Sequence, residues 1–235
     1  MKFGRKSKTE VTEPEATETE AAEASGATDA ESTADGTGAD ESRVLPVTED
    51  APADGPYDIS EVDLENDGIQ RVDLGGLLIS PSEGHELRLQ VDEATQEVQS
   101  VMVAGDDGAV EIRAFAAPRH GDLWSDVRRQ IASETSRAGG TATEREGRWG
   151  TELECQVQVR TPEGRSGTQP SRIVGINGNR WFLRATYLGR PAVNPERAAD
   201  FEDVVARVVV RRGDTAMAPG DPLPVELPTN ARRIT

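Results

Sequence analysis

Between Leu87 and Ala116 three strand-like runs follow one another, separated by turns of only a few residues. Leu87, Leu89 and Val91 alternate with Arg88, Gln90 and Asp92, and Val98 to Val103 follows a polar turn at Glu93 to Gln96. Val110, Ile112, Ala114 and Ala116 then alternate beyond Gly105-Asp106-Asp107-Gly108. Successive side chains of a strand point to opposite faces, so a period of two marks strands with one buried face. A parallel return needs a connection of a dozen or more residues, so turns this short make the neighbours antiparallel. This part of the chain is therefore a meander.

The same pattern appears on either side of it. Two apolar runs within residues 69–80 flank Gly75-Gly76, a hairpin signal because both glycines tolerate positive φ. Leu153, Cys155, Val157 and Val159 alternate with Glu154, Gln156, Gln158 and Arg160. Ile173 to Ile176 and Asn179 to Leu188 flank Asn177-Gly178, the strongest short hairpin signal in the chain. Two segments change period. Leu123, Val127 and Ile131 recur at helical spacing, with Asp122 placed as N-cap and Gly139-Gly140 as the stop. Asn194-Pro195-Glu196 opens a second helix with a stripe of Phe201, Val204 or Val205, and Val208. Arg211-Arg212 is expected at its C-terminal dipole and Gly213 at its end. The expected class is α+β: an antiparallel sheet of about seven or eight strands, built from hairpins and a meander, with two main helices packed on it.

This domain is expected over residues 57–212. A disordered acidic arm over 1–56 precedes it, and a Pro-rich tail over 213–235 follows it. The arm holds 14 acidic and 5 basic residues, so about −9 of the chain's −17 resides there. From Glu10 to Glu41 there is no Lys, Arg, aromatic residue, Leu or Ile. Such a segment cannot bury enough apolar area to offset an ordering entropy of about 1–2 kcal/mol per residue. In the tail Pro219, Pro222, Pro224 and Pro228 impose extended backbone, and the alternating Leu223, Val225 and Leu227 give it an apolar side that can dock.

Charge and motifs exclude several function classes. Lys2, Arg5, Lys6 and Lys8 form a basic head, but Glu10 and Glu13 follow it instead of an apolar run, which argues against a signal peptide. No stretch approaches the roughly 20 apolar residues of a membrane span. One cysteine precludes an internal disulfide framework and fits a reducing, cytoplasmic compartment. An acidic chain is a poor ligand for nucleic acid, which leaves only weak binding through the basic head. His85, His120 and Cys155 do not make up a four-ligand zinc site, and no metal or other cofactor is expected. Cys155 shares parity with Leu153 and Val157, which points it to the core. The serine-elbow, P-loop and dinucleotide patterns are absent, and Gly164-Arg165-Ser166-Gly167 reads as a flexible turn.

The segment most suggestive of recognition is Arg180-Trp181-Phe182-Leu183-Arg184-Ala185-Thr186-Tyr187. In a strand, Trp181, Leu183, Ala185 and Tyr187 share one face, and Arg180, Phe182, Arg184 and Thr186 the other. Two arginines flanking a phenylalanine can grip a carboxylate or phosphate, unless acids of neighbouring strands pair with them. His120, in Pro118-Arg119-His120-Gly121-Asp122 at the approach to the first helix, is the third candidate. Trp124 and Trp149 read as packing residues.

Gly55-Pro56-Tyr57-Asp58, Asp73-Leu74-Gly75-Gly76-Leu77-Leu78-Ile79, Phe115-Ala116-Ala117-Pro118-Arg119 and Arg180-Trp181-Phe182-Leu183-Arg184 occur in this order. In these motifs the chain resembles an actinobacterial family known only as a domain of unknown function, number 3710, over roughly Tyr57 to Arg212. Family relatives tend to have proline where Asn179 stands. The resemblance carries no catalytic residues. The element order is similar to the Mog1/PsbP-type fold, which implies an antiparallel sheet flanked by helices and no particular function.

The expected function is non-enzymatic: a cytoplasmic binding or adaptor domain with a protein partner. The alternatives are a protein or enzyme acting on a small, nucleotide-like anion through Arg180, Arg184 and His120, or weak nucleic-acid binding through the head.

Overall fold

In the computed structural model the described residues are 55–92, 94, 95, 97–160 and 166–228. The expectation of a disordered arm falls, up to residue 54, outside them, as do Gly164 and Arg165 of the expected turn and residues 229–235 of the expected tail.

The chain runs β1 (Tyr57–Asp58), β2 (Val72–Asp73), β3 (Leu77–Ile79), β4 (Glu86–Val91), β5 (Val98–Gly105), β6 (Gly108–Ala116) and α1 (Leu123–Arg137). It continues through β7 (Thr141–Gly147), β8 (Gly150–Arg160), β9 (Ser166–Asn177), β10 (Trp181–Gly189), α2 (Pro195–Ala206) and β11 (Val209–Val210). The α+β class holds, with the strands divided between two sheets. The larger has the order β4-β5-β6-β10-β9-β8-β7, with all neighbours antiparallel. Two meanders, β4 to β6 and β7 to β10, are thus sewn together where β10 pairs with β6. The smaller sheet, β1-β11-β3-β2, joins the two ends of the domain through a parallel β1–β11 pair. Its β2–β3 hairpin is the one expected around Gly75-Gly76; β1 and β11 were not legible, because two-residue strands far apart in sequence leave no periodic pattern.

The two faces of the large sheet are covered differently. On one face Val101, Val103, Val110, Ile112, Leu183, Ala185 and Tyr187 pack with Phe201, Val204 and Val205 of α2 and with Leu77 and Ile79 of β3. On the other, α1 contacts β7, β8 and β9. There Trp124 joins Leu153, Cys155 and Phe182, with Val127 and Ile131 against them. Burying each large apolar side chain contributes about 1.5–3 kcal/mol. Gly175 makes the close approach possible: a Cβ there would lie 2.2 Å from the Trp124 ring.

Helix α1 begins as expected, with Asp122 accepting a hydrogen bond from the Ser125 N–H at 3.1 Å. Helix α2 also begins as expected, with Asn194 accepting from the Glu196 N–H at 2.9 Å. It ends earlier than expected. The helix stops at Ala206, and Val209 and Val210 form a strand instead. Arg211 therefore does not serve the helix dipole; it donates twice to the Asp73 carboxylate, at 2.9 Å each. Pairing with β1 and β3 offers those residues more than another helical turn would.

The Pro-rich tail is a strap. Beyond Ile112, β6 parts from β5, and the tail pairs with it instead: the Leu223 N–H donates to the Ala114 carbonyl and the Ala116 N–H to that of Asp221. Further along, Gly76 N–H donates to Pro224 and Glu226 N–H to Leu74. The tail so staples the large sheet to the hairpin of the small one, burying Leu223 and leaving Leu227 exposed. Of the hairpin glycines only Gly75 has positive φ, 77°. Gly76 is required by the strap, since a Cβ there would lie 2.7 Å from the Pro224 carbonyl oxygen.

Candidate anion-binding face

The β9–β10 hairpin decides where the expected site residues go. Asn177 does not form the turn. It is the last residue of β9, paired with Phe182. Its side-chain amide accepts from the Trp124 N–H at 3.2 Å and donates to Asp122 at 2.9 Å, so it ties the hairpin to the start of α1. The reversal falls on Gly178 to Arg180, with a φ of 66° at Arg180. Gly178 lies against the Trp181 indole, leaving no room for a side chain.

Arg180 consequently drops out of the strand's alternation. The expectation that Arg180, Phe182 and Arg184 share a strand face is corrected to Phe182 and Arg184. The Arg180 carbonyl accepts from the Ala117 N–H, which puts its backbone beside the loop bearing His120. His120 is exposed, with a φ of 58°. Arg184 lies within β10, three residues and about 10 Å along the strand from its first residue, Trp181. Phe182 is no platform either. It is 1 % exposed and stacked against Trp124, ring centroids 6.0 Å apart.

An arginine pair around an aromatic ring does exist, from a different strand. Arg184 lies directly opposite Arg113 in the β10–β6 register. Both guanidinium groups come over the Phe115 ring, at 5.7 Å from Arg184 and 5.4 Å from Arg113. Such contacts are worth about 0.5–1 kcal/mol at exposed sites. Neither arginine has an ion-pair or hydrogen-bond partner among the described residues, and the Nε of each is shut away from solvent. Burial pulls the Arg184 guanidinium below its usual range, as does repulsion from Arg113, which outweighs attraction to Glu111. Glu111 stands two positions along β6, opposite Thr186. Among the described residues, then, no acid of a neighbouring strand forms an ion pair with either arginine.

The pair sits on the half of the face that α1 leaves uncovered. Met102, Glu111, Arg113, Phe115, Arg184, Thr186 and Leu188 are half-buried there. Sequence parity places Arg113 and Phe115 on one face of β6, but it cannot say that β10, 71 positions later, lies beside them.

The remaining candidates are dispersed. Cys155 is buried, and burial raises its thiol pKa against the hydrogen bond from Thr135. His85 packs edge-on against Phe201 at 4.7 Å. Trp124 donates to the Thr151 carbonyl and Trp149 to that of Gly55, both as packing residues. Among the described residues no group of three His, Cys, Asp or Glu side chains is placed to hold a metal ion. No helix there is long and apolar enough to cross a membrane.

The second polar constellation is structural. On the face under α2, Arg172 is buried with its guanidinium 4.1 Å from the Tyr187 ring centroid. It pairs with Glu202 at 2.7 Å and with the buried Glu152 at 3.5 Å, and Arg145 completes Glu152 at 2.6 Å. This network fastens α2 to the sheet. Two clefts lie along the strap. The larger, about 850 Å³, is lined by Asp73, Arg211, Arg212, Met217 and Leu227 among others, and neither takes in Arg113, Phe115 or Arg184.

A family described as a protein of unknown function, DUF3710, matches residues 55–233, strap included, and the chain belongs to it. No curated protein matches the sequence. A crystal structure from Bacteroides thetaiotaomicron VPI-5482 is similar at 15 % identity and a TM-score of 0.37, over 58 % of this chain and 46 % of that one.

Proposed function

We propose that this member of the DUF3710 family is a non-enzymatic, cytoplasmic binding domain that engages a protein partner through the Arg113–Phe115–Arg184 face. One observation carries the reading: two arginines stand directly opposed on neighbouring strands, and neither has an ion-pair partner among the described residues. Like charges in that position destabilise a sheet, and half-buried guanidinium groups want carboxylate or phosphate oxygens. A local choice that opposes folding and has no internal compensation is the mark of a functional surface. The dispersal of His85, His120 and Cys155 supports binding over catalysis, since acid–base and nucleophilic chemistry need such groups within hydrogen-bond reach of one another. The lone, buried cysteine supports a reducing compartment.

The test is affinity capture from native lysate with the wild-type chain and with Arg113→Met/Arg184→Met. A partner retained by the wild type and lost by the double variant is expected. An identical set of captured proteins would overturn the reading.

A further inference from the structure

We infer that the group this face takes is a phosphoryl group carried on a side chain of the partner protein. The inference rests on the binding face proposed above and narrows its chemistry. Directly opposed residues of an antiparallel pair have Cβ atoms about 4.5–5.5 Å apart. Both guanidinium groups lie against the single Phe115 ring, 5.4 and 5.7 Å from its centroid, so the two cations share one patch of surface. A carboxylate brings one negative charge and leaves two mutually repelling cations half satisfied. A phosphomonoester brings about −1.5 to −2 at pH 7 and three acceptor oxygens, enough for both. Glu111 does not fill this role, because it forms no ion pair with either arginine and its attraction for Arg184 is weaker than the repulsion from Arg113.

The shape of the surface points to a phosphate borne on a chain. Small free ligands draw their affinity from concave sites that bury most of their surface. The two clefts at the strap do not reach the arginine pair, which lies on open strands. A phosphoryl group held there needs flanking residues to supply contact area. Met102, Thr186 and Leu188, half-buried beside the pair, offer a surface for them.

The experiment is fluorescence anisotropy with the full chain and a short labelled alanine–glycine peptide carrying one phosphothreonine. The same peptide with glutamate or threonine at that position is measured in parallel, and inorganic phosphate and adenosine monophosphate serve as competitors. The phosphothreonine peptide is expected to bind at least about tenfold more tightly than the glutamate peptide. Arg113→Met and Arg184→Met should each abolish that preference, and both competitors should displace the peptide only far above its own Kd. Equal, arginine-dependent binding of the phosphothreonine and glutamate peptides overturns the phosphoryl inference and leaves the binding face standing. Displacement by either competitor at the peptide's Kd overturns the chain-borne source. Binding that survives both substitutions, or no binding at all, overturns the inference; the binding face itself then falls only if the lysate capture is also unchanged.

Discussion

Arg113 and Arg184 face each other across the β6–β10 pairing, and both lean over the Phe115 ring with no carboxylate paired to either among the described residues. The arrangement opposes folding: desolvation and mutual repulsion act in the same direction on Arg184. A surface that gives up stability for a ligand makes a specific prediction about its own removal.

Replacing Arg184 with methionine keeps the apolar stem and removes the charge. The urea midpoint is expected to hold or rise, corresponding to at most about 1 kcal/mol of stabilisation once the lost ring contact is offset against relieved repulsion. A loss of more than about 1 kcal/mol in denaturation experiments would show that the pair holds the fold together.

The Arg172 network should behave in the opposite way. Arg172→Met leaves the buried Glu152 with only Arg145 and frees Glu202. Breaking a buried pair from one side costs about 3–5 kcal/mol. Adding Glu152→Gln should restore part of that, so the double variant is more stable than the sum of the single effects. Additive losses in a double-mutant cycle would show the two residues to be independent.

Asp122 and Asp73 set an acid limit. Hydrogen bonds from Ser125 hold the Asp122 carboxyl below its usual range, and Arg211 does the same for Asp73. A carboxyl with a depressed folded-state pKa contributes stability above its unfolded value, about 3.9, and loses it as pH falls through the folded value. Asp122→Asn should retain the cap near neutrality and flatten that part of the acid loss. Asp122→Ala should cost about 1 kcal/mol at pH 7. Thermal melts between neutral pH and pH 2 check both, and an unchanged acid slope in the asparagine variant would remove Asp122 from the account.

The strap is expected to be an integral part of the domain. Leu223 is 3 % exposed and packs with the main core. Leu223→Ala should cost about 2–5 kcal/mol. Truncation after Arg212 should expose the end of β6 and the 74–76 turn, giving faster amide exchange at Ala116 and Gly76. Unchanged exchange there would mean that the strap adds nothing to the fold.

Much of the fold was legible in local patterns. Period-two runs identified the meander and the inner face of β10, from Trp181 to Tyr187, because alternation is a property of the strand itself. Asp122 and Asn194 announced both helix starts, because capping is settled within three residues. Errors came where distant segments compete for the same backbone. Val208 to Arg212 fit a helical pattern, yet Val209 and Val210 pair with β1 and β3 instead. Asn177-Gly178 is the best turn signal, yet Asn177 is claimed by Asp122 and Trp124 at the start of α1.

The candidate site divides along the same line. Local spacing put Arg184 on the strand face opposite Trp181, Leu183 and Tyr187, and turned Cys155 toward the core. The chain carries no familiar catalytic or phosphate-binding motif. Long-range packing settled the rest: Arg180 turns away with the hairpin, Phe182 is sealed under Trp124, and the second arginine is Arg113. Side-chain parity is local and can be read from spacing. The pairing of β10 with β6, and the register that sets Arg184 against Arg113, follow from burying both meanders in one core, which no short window of sequence contains.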